Sequence, residues 1–211
     1  MKRRWVIIEC TCSRKDDGPL AADFENEIHC KVVYHGPVSS GKSTNLRYIC
    51  ANVPESARGD LSTLPIGDGG AHVEFLPLDM GELLGRRMRF HVYTTPGGPG
   101  FEAERVSILS GADGIVFVVD SDRERFKDDL LCYREMQMAV EGLGLDLAQI
   151  PLVFQYNKRD LADAVPVSIL SARLNTGGRK YVEAVASTGA GVLNTLRAVS
   201  KLILEKTQRG R

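Results

Sequence analysis

Short apolar segments alternate with helical segments along most of the chain. Residues 30–34 and 152–156 are short apolar segments, and 114–120 is a continuous apolar run of the kind found in strands buried on both faces. Helices are predicted over 43–52 and about 124–141. Strands separated by helical crossovers predict an α/β fold with a mainly parallel sheet and helices on both faces.

Two further patterns complete this outline. Residues 72–78 and 88–93 each alternate like a half-exposed strand, and a glycine-containing turn joins them, which predicts an antiparallel hairpin. The segment 191–206 places Val192, Leu196 and Val199 on one helical stripe. In open α/β sheets ligands bind at the carboxyl ends of the strands, so chemistry is expected in the loops that follow them.

Composition narrows the function classes. The 211 residues are 43% hydrophobic, enough for one well-packed domain, and we expect it to cover 27–207. Lys plus Arg and Asp plus Glu are both 27, so no basic excess favours a nucleic-acid or anionic-membrane binder. The five Cys are odd in number and scattered, which suits reduced thiols in a cytoplasmic protein.

The ends of the chain offer weaker signals. No apolar run approaches the roughly 18 residues of a membrane span. Residues 1–26 carry mixed charge without a clear period, and we interpret them as an N-terminal extension, with a disordered tail as the alternative.

A glycine-rich motif follows the first predicted strand and opens a helix: Gly36-Pro37-Val38-Ser39-Ser40-Gly41-Lys42-Ser43. This context predicts a phosphate-binding loop whose backbone N–H groups face a polyphosphate, helped by the positive end of the helix dipole. Lys42 is expected to reach the β and γ phosphates, and Ser43 to give its hydroxyl to Mg²⁺. The candidate phosphate-binding residues here are Gly36, Ser39, Ser40, Gly41, Lys42, Ser43 and Thr44.

A second motif, Asn157-Lys158-Arg159-Asp160, follows the strand at 152–156. A carboxylate at Asp160 can accept hydrogen bonds from both N1–H and the exocyclic amine of guanine, and adenine offers no such donor pair. The candidate guanine-binding residues are therefore Asn157, Lys158 and Asp160. A polar turn is the structural alternative, and a P-loop kinase or ATPase is the functional one.

These motifs and several flanking stretches resemble the MglA-type branch of the bacterial Ras-like small GTPases, over about 28–205. The resemblance runs through 31–37, 75–78, 89–94, 113–118 and 155–161. It implies a three-layer P-loop NTPase fold with a six-stranded sheet and five main helices. It also implies switching between GDP and GTP, and a fifth guanine motif in which the backbone N–H of Ala186 meets the guanine carbonyl.

The resemblance further implies partners and a location. Members pair with a roadblock/LC7-type regulator and act on polarity or motility effectors at a cell pole. Guanine nucleotide and Mg²⁺ are thus the expected ligands, and the expected function is a nucleotide-controlled regulatory switch or scaffold.

Both switch segments depart from the family pattern. In the second switch, Thr94-Thr95-Pro96-Gly97-Gly98, Gly97 is a candidate phosphate-binding residue but Gly98 replaces the glutamine that orients water. The first switch, Leu64 to Ala71, lacks the usual Arg and Thr, and its glycines predict a flexible loop. We therefore name no catalytic residue and predict weak hydrolysis; the alternative is an active small GTPase that depends on a partner activator.

Overall fold

A computed structural model describes residues 27–66, 70–83 and 85–209, so the predicted extension over 1–26 lies outside the described residues. The strands are β1 (Glu27–His35), β2 (Ser62–Ile66), β3 (Ala71–Leu83), β4 (Arg86–Thr94), β5 (Gly114–Asp120), β6 (Leu152–Asn157) and β7 (Tyr181–Glu183). The α-helices are α1 (Lys42–Asn52), α2 (Glu102–Leu109), α3 (Phe126–Gly142), α4 (Val167–Leu174) and α5 (Val192–Arg209).

All of these strands belong to one sheet in the order β2-β3-β4-β1-β5-β6-β7. β1 lies parallel to both β4 and β5, and β5, β6 and β7 continue in parallel, whereas β2 and β3 form antiparallel pairs at one edge. The carboxyl ends of β1, β5 and β6 therefore meet at one edge of the sheet. The loops that carry the two predicted motifs begin there.

Apolar side chains cover both faces of the sheet. On one face Val32 and Tyr34 of β1 pack in a cluster with residues of α1 and α5, including Leu46 and Val199. On the other face, Val33 joins a cluster with residues of α2, α3 and α4. Successive side chains of β1 thus point to opposite faces of the sheet, as they do in any β-strand. The predicted three-layer α/β fold with helices on both faces is confirmed.

The predicted strand count was wrong by one. Residues 64–66, which we expected in a flexible first-switch loop, belong to the edge strand β2, and the described residues form a sheet of seven strands rather than six. Leu64 and Ile66 pack against the cluster on the α3 side, while Thr63 and Pro65 are exposed. This alternation favours a strand, and an edge position tolerates Pro65 because proline has no N–H to donate. Three residues of the same segment, 67–69, lie outside the described residues.

Candidate functional site

The loop between β1 and α1 curls tightly because two of its glycines have neighbours where a side chain would be. A Cβ on Gly36 would lie 2.3 Å from the carbonyl oxygen of Val118, and one on Gly41 would lie 2.2 Å from Nδ2 of Asn157. Gly41 also has a φ of 101°, in the left-handed region that glycine adopts without strain. Residue 39 adopts the same region at 62° although it is a serine. The loop geometry thus depends on these glycines, and Ser39 stores local strain.

Lys42 turns its side chain back over this loop. Its Nζ donates to the carbonyl oxygens of Gly36, at 2.8 Å, and Pro37, at 2.6 Å, and the residue is buried. Burial lowers the pKa of Lys42 to about 8, and the nearby Arg105 guanidinium acts in the same direction. A buried ammonium with only neutral acceptors is poised for an anionic ligand, since phosphate oxygens make stronger, charge-assisted hydrogen bonds.

Helix α1 begins directly at Lys42, and Gly41 precedes it as the N-cap. Ser43 is half-buried and Thr44 is exposed, both in the first turn. The first N–H groups of a helix have no intrahelical partner, so this turn presents donors and positive dipole to the loop. Ser43 is the residue here that could give a hydroxyl to Mg²⁺, which takes one or two protein ligands beside phosphates and water.

Asn157 joins the two predicted motifs. Its Nδ2 donates to the carbonyl oxygen of Ser40 at 2.7 Å, and its Oδ1 accepts from the backbone N–H of Ala186 at 2.9 Å. All three residues are buried. A single amide side chain therefore fixes the phosphate loop, the end of β6 and the segment after β7 relative to one another.

Lys158 and Asp160 follow Asn157 in an irregular turn. Lys158 has a left-handed φ of 60°, and its Nζ pairs with the buried Asp120 carboxylate at 2.5 Å. Asp160 is exposed. The Lys158 side chain is thereby held against the end of β5, whereas the Asp160 carboxylate is open to a ligand.

The segment predicted as the fifth guanine motif lies beside the phosphate loop. A Cβ on Gly41 would lie 3.8 Å from Cβ of Ala186. The N–H that the resemblance assigns to the guanine carbonyl donates to Asn157 in this structure. A bound guanine carbonyl would therefore have to share the Ala186 N–H with Asn157 Oδ1 or replace that oxygen as its acceptor.

The second switch meets the phosphate loop at Gly97. A Cβ on Gly97 would lie 2.6 Å from Cα of Val38 and 2.9 Å from Nζ of Lys42. At Gly98 the same construction gives 3.6 Å to Phe101, an ordinary contact. Gly97 is therefore required by close approach, whereas a Cβ at Gly98 would make only an ordinary contact with Phe101.

The predicted phosphate and guanine residues thus lie together at one edge of the sheet, and the glycine cradle and the buried Lys42 fit a nucleoside polyphosphate. Arg86 and Arg87, at the start of β4, lie too far from this site to replace the arginine that the first switch lacks. Arg87 pairs in register with Glu27, the first residue of β1, and the phosphate loop follows His35, the last. Eight residue steps of a strand separate these ends by roughly 26 Å.

Sequence reasoning missed three residues at this site. His35 is buried behind the loop, where its Nδ1 bonds the Thr95 hydroxyl at 2.9 Å, and burial lowers its pKa to about 3. Arg105 of α2 is also buried, and its Nη1 donates to the Gly98 carbonyl at 2.7 Å. Arg125 donates from Nη2 to the Val38 carbonyl at 3.2 Å. The sequence held no signal for the arginines because their placement depends on helix packing.

Within the part of the chain that the structure describes, no helix combines the length and apolar character needed to cross a membrane. The chain matches no protein-family model. It is 43% identical over 185 residues to a protein of Myxococcus xanthus (strain DK1622), named Mutual gliding-motility protein MglA. The alignment covers 87% of this chain and 95% of that protein.

Proposed function

Because the chain belongs to the MglA family of Ras-like small GTPases, we propose that it acts as a guanine-nucleotide-controlled regulatory switch or scaffold with weak intrinsic GTP hydrolysis. The observation that carries the proposal is the double hydrogen bond of Asn157, which couples the Lys42 loop to the Lys158–Asp160 turn and to Ala186. A phosphate site and a base site held by one side chain suit a single nucleotide that spans both.

Different groups of residues bind the phosphates, the metal ion and the base. Gly36, Ser39, Ser40, Gly41, Lys42 and Thr44 hold the phosphates, with Gly97 closing the γ-phosphate side. Ser43 supplies a ligand to Mg²⁺. Asn157, Lys158, Asp160 and Ala186 form the guanine site, in which the exposed Asp160 carboxylate accepts from the base. Mg²⁺ neutralises phosphate charge when bound, and the other contacts orient the ligand.

Weak hydrolysis follows from what surrounds the terminal phosphate. Phosphoryl transfer asks the protein to position water and to neutralise charge. Gly98 has no side chain for the first task, and residues 64–71 contain no arginine for the second. Thr63 offers no substitute for the missing switch threonine, since it is exposed on β2 and paired in register with Glu74.

The second candidate is an active GTPase that completes its site with groups from a partner. This candidate is favoured by the close approach of Gly97 to Val38, which places the opening of the phosphate site beside an exposed loop. Val38 is 46% exposed. An incoming side chain could reach the phosphates there.

The Myxococcus relative is named for gliding motility, and by this likeness we place the chain in cell polarity or motility. A roadblock/LC7-type regulator and a polar location are part of the same proposal. They rest on the family and on no contact within the chain.

Two measurements test the function. The first is competition of GTP, GDP and ATP for purified, nucleotide-free protein, where guanine nucleotides should win by a wide margin. The second is single-turnover GTP hydrolysis with and without a cognate roadblock dimer. A slow rate in both conditions supports the switch or scaffold, a rate rise with the dimer supports the activator-dependent enzyme, and equal binding of ATP and GTP excludes both.

A further inference from the structure

We propose that Arg125 contacts the terminal phosphate of bound GTP from the α3 side and so makes the affinity for GTP depend on an arginine outside both switches. This inference rests on the proposed nucleotide function and deepens it. The residue lies at the N-cap of α3, five residues beyond the end of β5.

The position of the terminal phosphate is bounded by three residues. The point where a Gly97 side chain would begin lies 2.6 Å from Cα of Val38 and 2.9 Å from Nζ of Lys42. Because a P-loop lysine reaches the β and γ phosphates, the γ-phosphate must sit beside these residues. Val38 therefore forms one wall of the γ-phosphate site.

Arg125 reaches that same wall. Its Nη2 donates to the Val38 carbonyl oxygen at 3.2 Å, so the guanidinium lies against the residue that bounds the phosphate position. The arginine comes from the N-terminus of α3, outside both switch segments. It can therefore supply positive charge without any movement of the first switch.

The side chain is also free to change partners. Its other polar contact is an ion pair of 3.0 Å with Asp128, and the two side chains are 35% and 47% exposed. Exposed pairs of this kind contribute little free energy, and a neutral carbonyl is a weaker acceptor than phosphate. Exchange of Val38 or Asp128 for a phosphate oxygen should therefore be favourable.

Arg105, the other arginine near the loop, is not available in the same way. It is 9% exposed at the side chain and is held by the Gly98 carbonyl and by two carboxylates, Glu102 and Glu135. Its guanidinium fixes the backbone of the second switch. Release of Arg105 would break a partly buried hydrogen bond and two ion pairs, whereas Arg125 makes one exposed hydrogen bond and one exposed ion pair.

The test compares a non-hydrolysable GTP analogue with GDP in four proteins: wild type, Arg125→Gln, Arg125→Lys and Arg123→Gln. Arg123 is exposed two residues away and serves as the matched control. For Arg125→Gln we expect analogue affinity to fall about tenfold or more while GDP affinity changes by less than about twofold. Arg125→Lys should recover part of the loss, and Arg123→Gln should behave as wild type.

The ratio of the two affinities separates a phosphate contact from a structural role. Equal weakening of analogue and GDP would mean that Arg125 only shapes the loop, and unchanged affinity for both would mean that it does not reach the phosphate; either result leaves the ratio unchanged and overturns the inference. The wild-type titration keeps the proposed function separate. Guanine-selective binding with an unchanged ratio refutes Arg125 alone, whereas absence of guanine binding refutes both.

Discussion

Asn157 donates its side-chain amide to the carbonyl oxygen of Ser40 over 2.7 Å, although 117 positions separate the two residues in the chain. The same side chain accepts the N–H of Ala186 at 2.9 Å. The turn that begins at Asn157 and the loop before α1 are therefore fixed relative to each other. Loss of this amide should disturb both parts of the nucleotide at once.

Asn157→Ala should lower the affinity for GDP and GTP to a similar extent, by at least about tenfold, and lower stability by about 1–3 kcal/mol, because it leaves buried Ser40 and Ala186 groups unpaired. Calorimetry and nucleotide titration measure the two effects. Asn175→Ala is the control, since Asn175 is likewise buried and bonds the backbone of Arg179 at 2.7 Å. It should lose stability without losing nucleotide affinity; full nucleotide binding by Asn157→Ala would contradict the coupling.

Asp160→Asn should weaken guanine-nucleotide binding by roughly 100-fold and favour xanthine nucleotides, whose carbonyl replaces the exocyclic amine. Because Asp160 is exposed, the substitution should leave thermal stability unchanged. Competition between GDP and XDP measures the switch, with the exposed Asp163→Asn as control. Unaltered guanine preference in the Asp160 variant would remove this residue from the base site.

The sequence predicted the elements whose local pattern matches their burial. β5 is buried at every position and was found with its bounds unchanged, Gly114–Asp120. β2 was missed because Pro65 and the neighbouring glycines favour a loop. Its alternation of partly buried and exposed residues exists only because β2 pairs with β3. Helices α2 and α4 and the short β7 were not predicted from the pattern of the residues.

The residues of the candidate site also divide into those that a local motif predicts and those that only the fold brings together. Lys42 and Asn157 could be predicted because their motifs are continuous in sequence. The long-range partners of the second switch and of the phosphate loop could not. His35 reaches Thr95 across 60 positions, and Arg125 reaches Val38 across 87. Such contacts follow from the order of the strands and the placement of helices, which no local pattern encodes.

Nucleotide affinity should fall as the pH rises above about 8. Burial lowers the pKa of Lys42 to about 8 in the nucleotide-free protein, and phosphate must raise it again, so binding takes up a proton above that pH. The loss approaches about tenfold per pH unit, and below about pH 8 this group gives no pH dependence.

Titration of GDP between about pH 7 and pH 9 checks this behaviour. Lys42→Arg is the control, because a guanidinium stays charged throughout and should flatten the profile even if its fit lowers affinity. Lys42→Ala should nearly abolish binding while the domain still folds. A wild-type affinity that stays constant across this range would show that the free Lys42 ammonium keeps its proton there, whereas full binding by Lys42→Ala would show that Lys42 does not pair with the phosphates.

Gly98→Gln should accelerate single-turnover GTP hydrolysis by roughly tenfold, a barrier change of about 1.4 kcal/mol. The wild type is expected to be slow because Gly98 cannot orient water, and because an arginine finger, worth about 10³ to 10⁵ in rate, is missing from 64–71. The backbone accepts a Cβ here, since among the described residues it would meet Phe101 alone, at the ordinary distance of 3.6 Å.

Gly98→Ala separates the amide from the backbone effect of replacing glycine. It should fold like Gly98→Gln and remain as slow as the wild type. Gly97→Ala should instead weaken nucleotide binding, because its methyl group would lie 2.6 Å from Cα of Val38. A wild-type rate equal to that of an intact MglA-type protein, with no partner present, would mean that another residue already positions the water, whereas equally slow hydrolysis by wild type and Gly98→Gln would mean that a glutamine at this position does not orient it.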